Sequence, residues 1–139
     1  MSETMTVSWE GGMLFTAKDD LGWELRSDAR ENVGGSESAP GPVAIFYFAT
    51  GACTGMDVVS ILRKMKQDVT SYSVTVEAER PSPEYPKPVE RLRLTHKLSG
   101  NGLNRELVEK AVRLSDQKYC PIIASLRRSA QVVSETVIE

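Results

Sequence analysis

Residues able to hold a metal are scarce: the chain has one histidine, His96, and two cysteines, Cys53 and Cys120. The cysteines lie far apart with no short ligand spacing, and a lone histidine does not complete a zinc site, so no metal is expected. Positive charge is not in excess either. Seventeen Lys and Arg against 19 Asp and Glu leave a formal net charge of −2, which removes the electrostatic basis for general binding to nucleic acid or an anionic membrane. The pairs Arg63-Lys64 and Arg127-Arg128 read as solvated helix faces. The glycines form neither GxGxxG nor a P-loop, and no cofactor is expected. No nucleophile-elbow pattern surrounds any serine, including Ser36 and Ser38 in a polar stretch.

An export signal is also missing from the first ten residues, which carry Glu3 and Glu10 and no long apolar segment. Val43 to Leu62 approaches the length of a membrane span. It contains Cys53, Thr54, Asp57, Ser60 and two glycines, and reads as the buried core helix of a protein with no membrane role. A cytoplasmic, reducing location follows as the expectation, where two cysteines are redox-active or inert more often than a permanent staple.

What is present suits one soluble domain over residues 1–139: 40% hydrophobic and 26% charged residues, with no internal repeat. Met5 to Trp9 and Met13 to Ala17 flank Glu10-Gly11-Gly12 as a hairpin, and Gly22 to Ser27 reads as a third strand. Ser27 to Gly41 is polar and rich in Gly, Ser and Pro, which predicts a mobile loop able to lid a pocket. Pro42 suits a helix start, and helical character runs to about Lys66. Tyr72 to Glu79 and Arg91 to Leu98 alternate as two antiparallel strands, joined through the proline-rich Pro81 to Pro88. Leu103 to Ser115 is amphipathic, a short helix opens at Cys120-Pro121, and Gln131 to Ile138 is a terminal strand. The order βββ–α–ββ–α–α–β predicts an α+β fold. The apolar Val43 to Ala52 needs more cover than these short strands supply, which predicts an intertwined homodimer.

Chemistry, if any, runs through the cysteines. Pro121 at the first helical position makes Cys120 the N-cap of the last helix, where free N–H groups and the helix dipole favour a thiolate. For Cys53 two cases stand. If Gly51 breaks the helix, Cys53 sits at an N-terminus; if the helix is continuous, Cys53 lies mid-helix and needs a side-chain cation. The bland alternative is that both are small buried hydrophobes. His96 lies on the apolar face with Leu92, Leu94 and Leu98 and reads as a satisfied core or interface histidine. Met56 and Met65 read as core or pocket lining.

The run Gly51-Ala52-Cys53-Thr54-Gly55-Met56-Asp57-Val58-Val59 leading into Leu62-Arg63 resembles the OsmC/Ohr-like family (osmotically inducible and organic-hydroperoxide-resistance proteins). Leu98-Ser99-Gly100, Leu114-Ser115 and Lys118-Tyr119-Cys120-Pro121 continue the resemblance, which covers most of the chain from about Pro40 and is closest to the YhfA-like branch. It implies an OsmC-like α+β homodimer, with antiparallel sheets around central helices and active sites at the dimer interface. It also implies a thiol peroxidase cycle: Cys53 attacks a small organic hydroperoxide, Cys120 resolves the sulfenic acid as a disulfide, and a dithiol reductant restores both thiols. Phe46, Tyr47 and Met56 are the expected lining of the substrate pocket.

Family peroxidases pair the reactive thiolate with an Arg held by a Glu. This chain has Met13 where many members place the Arg, and Val43 and Ala44 at the usual Glu positions. Arg26 or Arg30 would have to substitute. An unpaired thiolate in an apolar site reacts slowly at neutral pH, so a second reading stands beside the peroxidase: a dimer that binds an apolar small molecule in a stress response, its cysteines sensing or idle.

Overall fold

The computed structural model describes residues 2–139. The chain divides into two compact units, one ending at Tyr47 and one running from Phe48 to Glu139.

The first unit is an antiparallel meander of β1 (Val7–Trp9), β2 (Phe15–Lys18) and β3 (Glu24–Ser27). Trp9 faces Phe15, and Phe15 faces Ser27. Gly11 and Gly12 both take positive φ in the first turn, a conformation that side chains resist, which is why the turn falls at Glu10-Gly11-Gly12. Asp19 organises the second turn by accepting from Leu21 N and Trp23 N. The polar stretch after β3 is a loop, as its composition predicts, and it is tied together from within. Asp28 is buried there, and its carboxylate accepts four hydrogen bonds, from Ala29 N, Ser36 N, Ser38 N and Ser38 Oγ. These bonds, Ser38 Oγ foremost, hold its carboxyl down at about 2.

Helix α1 (Pro42–Lys64) runs through Gly51, Cys53 and Gly55 without interruption, which decides between the two cases for Cys53. It ends slightly short of the predicted Lys66, where the chain turns through positive φ. In the second unit its buried face, Thr50, Thr54, Gly55, Val58 and Leu62, meets a three-stranded sheet of β4 (Asp68–Glu79), β5 (Arg91–Asn101) and β6 (Gln131–Ile138). The glycines permit a close approach. A Cβ built on Gly51 would lie 3.2 Å from Val76 Cγ2, and one on Gly55 would lie 3.4 Å from Tyr72 Cε1.

β4 and β5 pair antiparallel as predicted, but β6 lies parallel to β5, so the second sheet is mixed rather than antiparallel. The reason is the connection: α2 (Arg105–Leu114), a π-helical turn (Ser115–Tyr119) and α3 (Pro121–Leu126) carry the chain back along the sheet before β6 starts, as a parallel strand requires. The core has two parts. Val58, Leu62, Leu98, Val108, Ala111 and Val112 form one; Leu94, Cys120 and Ile123 form the other, with Cys53, Val74 and Val76 packed against it. The α+β order read from the sequence is the order found.

Candidate redox site

Both cysteines are free thiols, and the second unit brings them together: Cys120 Sγ donates to Cys53 Sγ across 3.1 Å. Cys53 is half-buried in the middle of α1, where the backbone N–H groups are consumed by the helix itself. Cys120 is the N-cap of α3, as Pro121 predicts. Its backbone is extended, and its Sγ accepts from Ile123 N at 3.4 Å.

The acidity expected of Cys120 is reversed. Only 2% of it is exposed, among Leu94, Ile123 and the neighbouring aliphatic groups. Burial pushes its thiol up to about 11, and the hydrogen bond to Cys53 pushes the same way against the pull of the Ile123 and Ile122 N–H groups. A six-residue helix offers too little dipole to outweigh that desolvation. Cys120 is therefore the proton-holding member of the pair, and Cys53 is the sulfur that accepts its hydrogen bond.

Polar side chains that the sequence motifs contain, but to which the sequence reading gave no role, bind the two cysteine segments together. Ser115 Oγ lies 2.8 Å from Thr54 Oγ1 and donates to Asp57 Oδ2 at 2.9 Å, while the Ser115 carbonyl accepts from Cys120 N at 2.9 Å. Thr54 and Asp57 are three positions apart on α1, and Asp57 follows Cys53 by four; that helical spacing was the available signal. The π-helical turn that presents Ser115 has no comparable mark in the sequence.

His96 is fully buried and is held by Tyr72, whose hydroxyl lies 2.6 Å from His96 Nδ1. Burial lowers the imidazole to about 4 and raises the Tyr72 phenol, the latter with help from the Asp116 charge. Among the described residues His96 Nε2 has no partner. The core histidine expected from the sequence is thus satisfied on one nitrogen and leaves the other bare. Asp116 pairs with Arg127 at 3.6 Å, and burial raises its carboxyl.

Of the remaining candidates, Arg26, Arg30, Val43, Ala44, Phe46 and Tyr47 belong to the first unit, and Met56 and Met65 to the second. In the first unit Arg26 pairs with Glu24 at 3.6 Å and, with Met13, Phe15, Leu25 and Ile45, lines an apolar hollow of about 420 Å³. Arg30 precedes a short 3₁₀ turn, Glu31–Val33. Val43 and Ala44 fall in the first turn of α1. Phe46 and Tyr47 stack edge to face at 5.9 Å. Met56, expected in core or pocket, is instead 72% exposed, because it points away from the buried face of α1. Met65 is half-buried. No group of three His, Cys, Asp or Glu able to hold a metal occurs among the described residues. By length and composition α1 is apolar enough to cross a membrane, yet it buries Thr50 and Thr54 against the rest of the protein.

The model of the OsmC-like protein family matches residues 34–135. Protein YhfA of Escherichia coli (strain K12) is 31% identical over 126 residues, 91% of this chain and 90% of that protein. Among solved structures, an OsmC-like protein of unknown function from Vibrio cholerae superposes with a TM-score of 0.79 at 22% identity, over 99% of this chain and all of its own. An organic hydroperoxide resistance protein from Elizabethkingia anophelis superposes with a TM-score of 0.68 at 19% identity, over all of this chain and 99% of its own. At these identities the structural likenesses speak for the fold; the family match and the YhfA relationship carry the assignment, and the chain belongs to the OsmC-like protein family.

Proposed function

We propose that this protein is a cysteine-based peroxidase for organic hydroperoxides, with Cys53 as nucleophile and Cys120 as resolving thiol. The observation that carries the reading is the 3.1 Å contact between the two sulfurs. At that distance a sulfenic acid formed on one cysteine is met at once by the other. Cys53 thiolate attacks the terminal peroxide oxygen; the O–O bond breaks, the alcohol leaves with a proton, and Cys53 carries the sulfenic acid. Cys120 then attacks the Cys53 sulfur, water departs with the Cys120 proton, and a disulfide joins the two. An external dithiol supplies two electrons and two protons to reopen it.

The aliphatic surroundings of the pair, Leu94, Val74, Val76 and Ile123, suit an alkyl hydroperoxide better than hydrogen peroxide. The similar fold of a protein named for organic hydroperoxide resistance supports the same choice. Phe48 and Met56 stand exposed two helical turns apart on α1, and a second copy of the chain is the occupant proposed for that face, giving a homodimer in the cytoplasm.

Two observations favour the alternative, a dimer that binds an apolar molecule without turnover. Cys120 holds its proton to about 11, and Met13, Val43 and Ala44 stand where the charged partners of family peroxidases are expected. Consumption of cumene or tert-butyl hydroperoxide with a dithiol separates the two. Turnover lost in Cys53→Ser supports the peroxidase; equal consumption by wild type and Cys53→Ser leaves the binding reading.

A further inference from the structure

We infer that Ser115 is the positioning residue that sets the distance between the two sulfurs, an inference that rests on reading Cys53 and Cys120 as a redox pair. The covalent path between the cysteines is 67 residues long, and it fixes nothing at the scale of a bond. The short path is through Ser115. Its single hydroxyl proton goes to Asp57 Oδ2 and its lone pair receives Thr54 Oγ1, which ties it to the turn of α1 that carries Cys53. Its carbonyl receives the Cys120 N–H across the π-helical turn. Ser115 and Thr54 are both fully buried, so water does not replace a missing partner without a rearrangement. A π-helical turn is an uncommon conformation that recurs at functional sites. Here it places a carbonyl, rather than a side chain, under the N-cap cysteine.

The demand on that linkage is geometric. Sulfurs at 3.1 Å must close to about 2.05 Å to bond, within a narrow range of backbone separations. Removing the Ser115 hydroxyl leaves the Asp57 carboxylate and the Thr54 hydroxyl without their partner, and frees the turn that holds Cys120. The distance then relaxes, and the disulfide loses its advantage over the dithiol.

The test is the ratio of disulfide to dithiol across a series of glutathione redox buffers, read by mass spectrometry after acid quench, with no peroxide present. Wild type is expected to close the Cys53–Cys120 bond. Ser115→Ala is expected to lower the equilibrium constant about tenfold, the scale of a part-buried hydrogen bond to a charged group, and Ser115→Thr, which keeps the hydroxyl, to recover most of it. Val108→Ala, a cavity in the core cluster that holds neither cysteine, is expected to lower the melting temperature and leave the constant unchanged. Should Ser115→Ala not fold, Thr54→Val removes one of the two side-chain links at constant shape, and about a threefold fall is expected. An unchanged constant in the folded variant overturns the role of Ser115. A wild type that forms no disulfide in any buffer overturns instead the redox-pair reading on which it rests.

Discussion

Tyr72 Oη and His96 Nδ1 lie 2.6 Å apart, two residues along neighbouring strands and beneath α1. Gly55 lets the helix reach the Tyr72 ring. The pair therefore joins the helix that carries Cys53 to the middle strand of the sheet, and it does so with an imidazole that burial keeps neutral.

That neutrality has a pH signature. The folded-state value of about 4 lies below the ordinary 6.5, so the stabilisation is whole above pH 6.5 and is lost as pH falls toward 4, where the unfolded chain takes up a proton that the fold refuses. The loss approaches roughly 3 kcal/mol over that window. Asp116, whose carboxyl burial raises, works the other way: its contribution is present at low pH and declines as pH rises, which flattens the slope. Asp28, held at about 2, contributes its own loss only below pH 4. Urea midpoints measured between pH 7 and 4.5 should fall steeply for wild type and more gently for His96→Gln. Identical slopes for the two would refute the assignment.

The unequal standing of the two thiols predicts unequal labelling. With Cys120 held to about 11, about one molecule in ten thousand carries its thiolate at pH 7. Burial, the largest cause of that rise, persists in Cys53→Ser, so iodoacetamide should modify Cys120 there more slowly than it modifies an unstructured cysteine peptide. In Cys120→Ser, one equivalent of alkyl hydroperoxide should leave a sulfenic acid on Cys53 that dimedone traps, whereas wild type should yield disulfide and no adduct. An adduct on Cys120 in Cys53→Ser, formed as fast, would reverse the roles.

Local chemistry explains which features could be read in advance. The alternation of Tyr72 to Glu79 against Arg91 to Leu98 is a two-residue pattern and needs nothing remote to interpret it. Pro121 marks the Cys120 cap by its own geometry. The direction of β6 depends instead on where α2, the π-helical turn and α3 deliver the chain, and no residue within Gln131–Ile138 encodes that. The acidity of Cys120 failed for a similar reason. A cap is a local feature, but the aliphatic enclosure from Leu94 and Ile123 comes from elsewhere in the sequence, and desolvation outweighed the N–H groups. Ser115 stood in the motif Leu114-Ser115, but its role became visible only when α1 and the π-helical turn were set side by side.

Phe48 and Met56 are 73% and 72% exposed on one helix, an apolar face that water does not favour. Light scattering should return twice the 15.3 kDa chain mass. Phe48→Glu combined with Met56→Lys, which places charge on that face without touching the core, should return a folded monomer. A wild type that stays monomeric at tens of micromolar would remove the second copy from the proposal.

The spacing between α1 and the sheet sets a final expectation, because the two glycines differ by 0.2 Å in the room they leave. A methyl on Gly55 would meet Tyr72 Cε1 at 3.4 Å, an ordinary contact. Gly55→Ala should therefore keep most of the roughly 0.5–1 kcal/mol that a helix gains when alanine replaces an interior glycine. A methyl on Gly51 would meet Val76 Cγ2 at 3.2 Å, so the valine must give way, and the gain should shrink toward zero. Leucine at Gly55 is another matter. It has to displace Tyr72 from His96 or lift the helix, at about 1–3 kcal/mol for overpacking, and lifting the helix carries Cys53 away from Cys120. Thermal melts should rank Gly55→Ala above wild type and Gly55→Leu well below it. Titration of the thiols after a hydroperoxide pulse should show that Gly55→Leu no longer closes the disulfide. A Gly55→Leu protein as stable as wild type, with its disulfide intact, would mean that the helix does not rest on the sheet at this point.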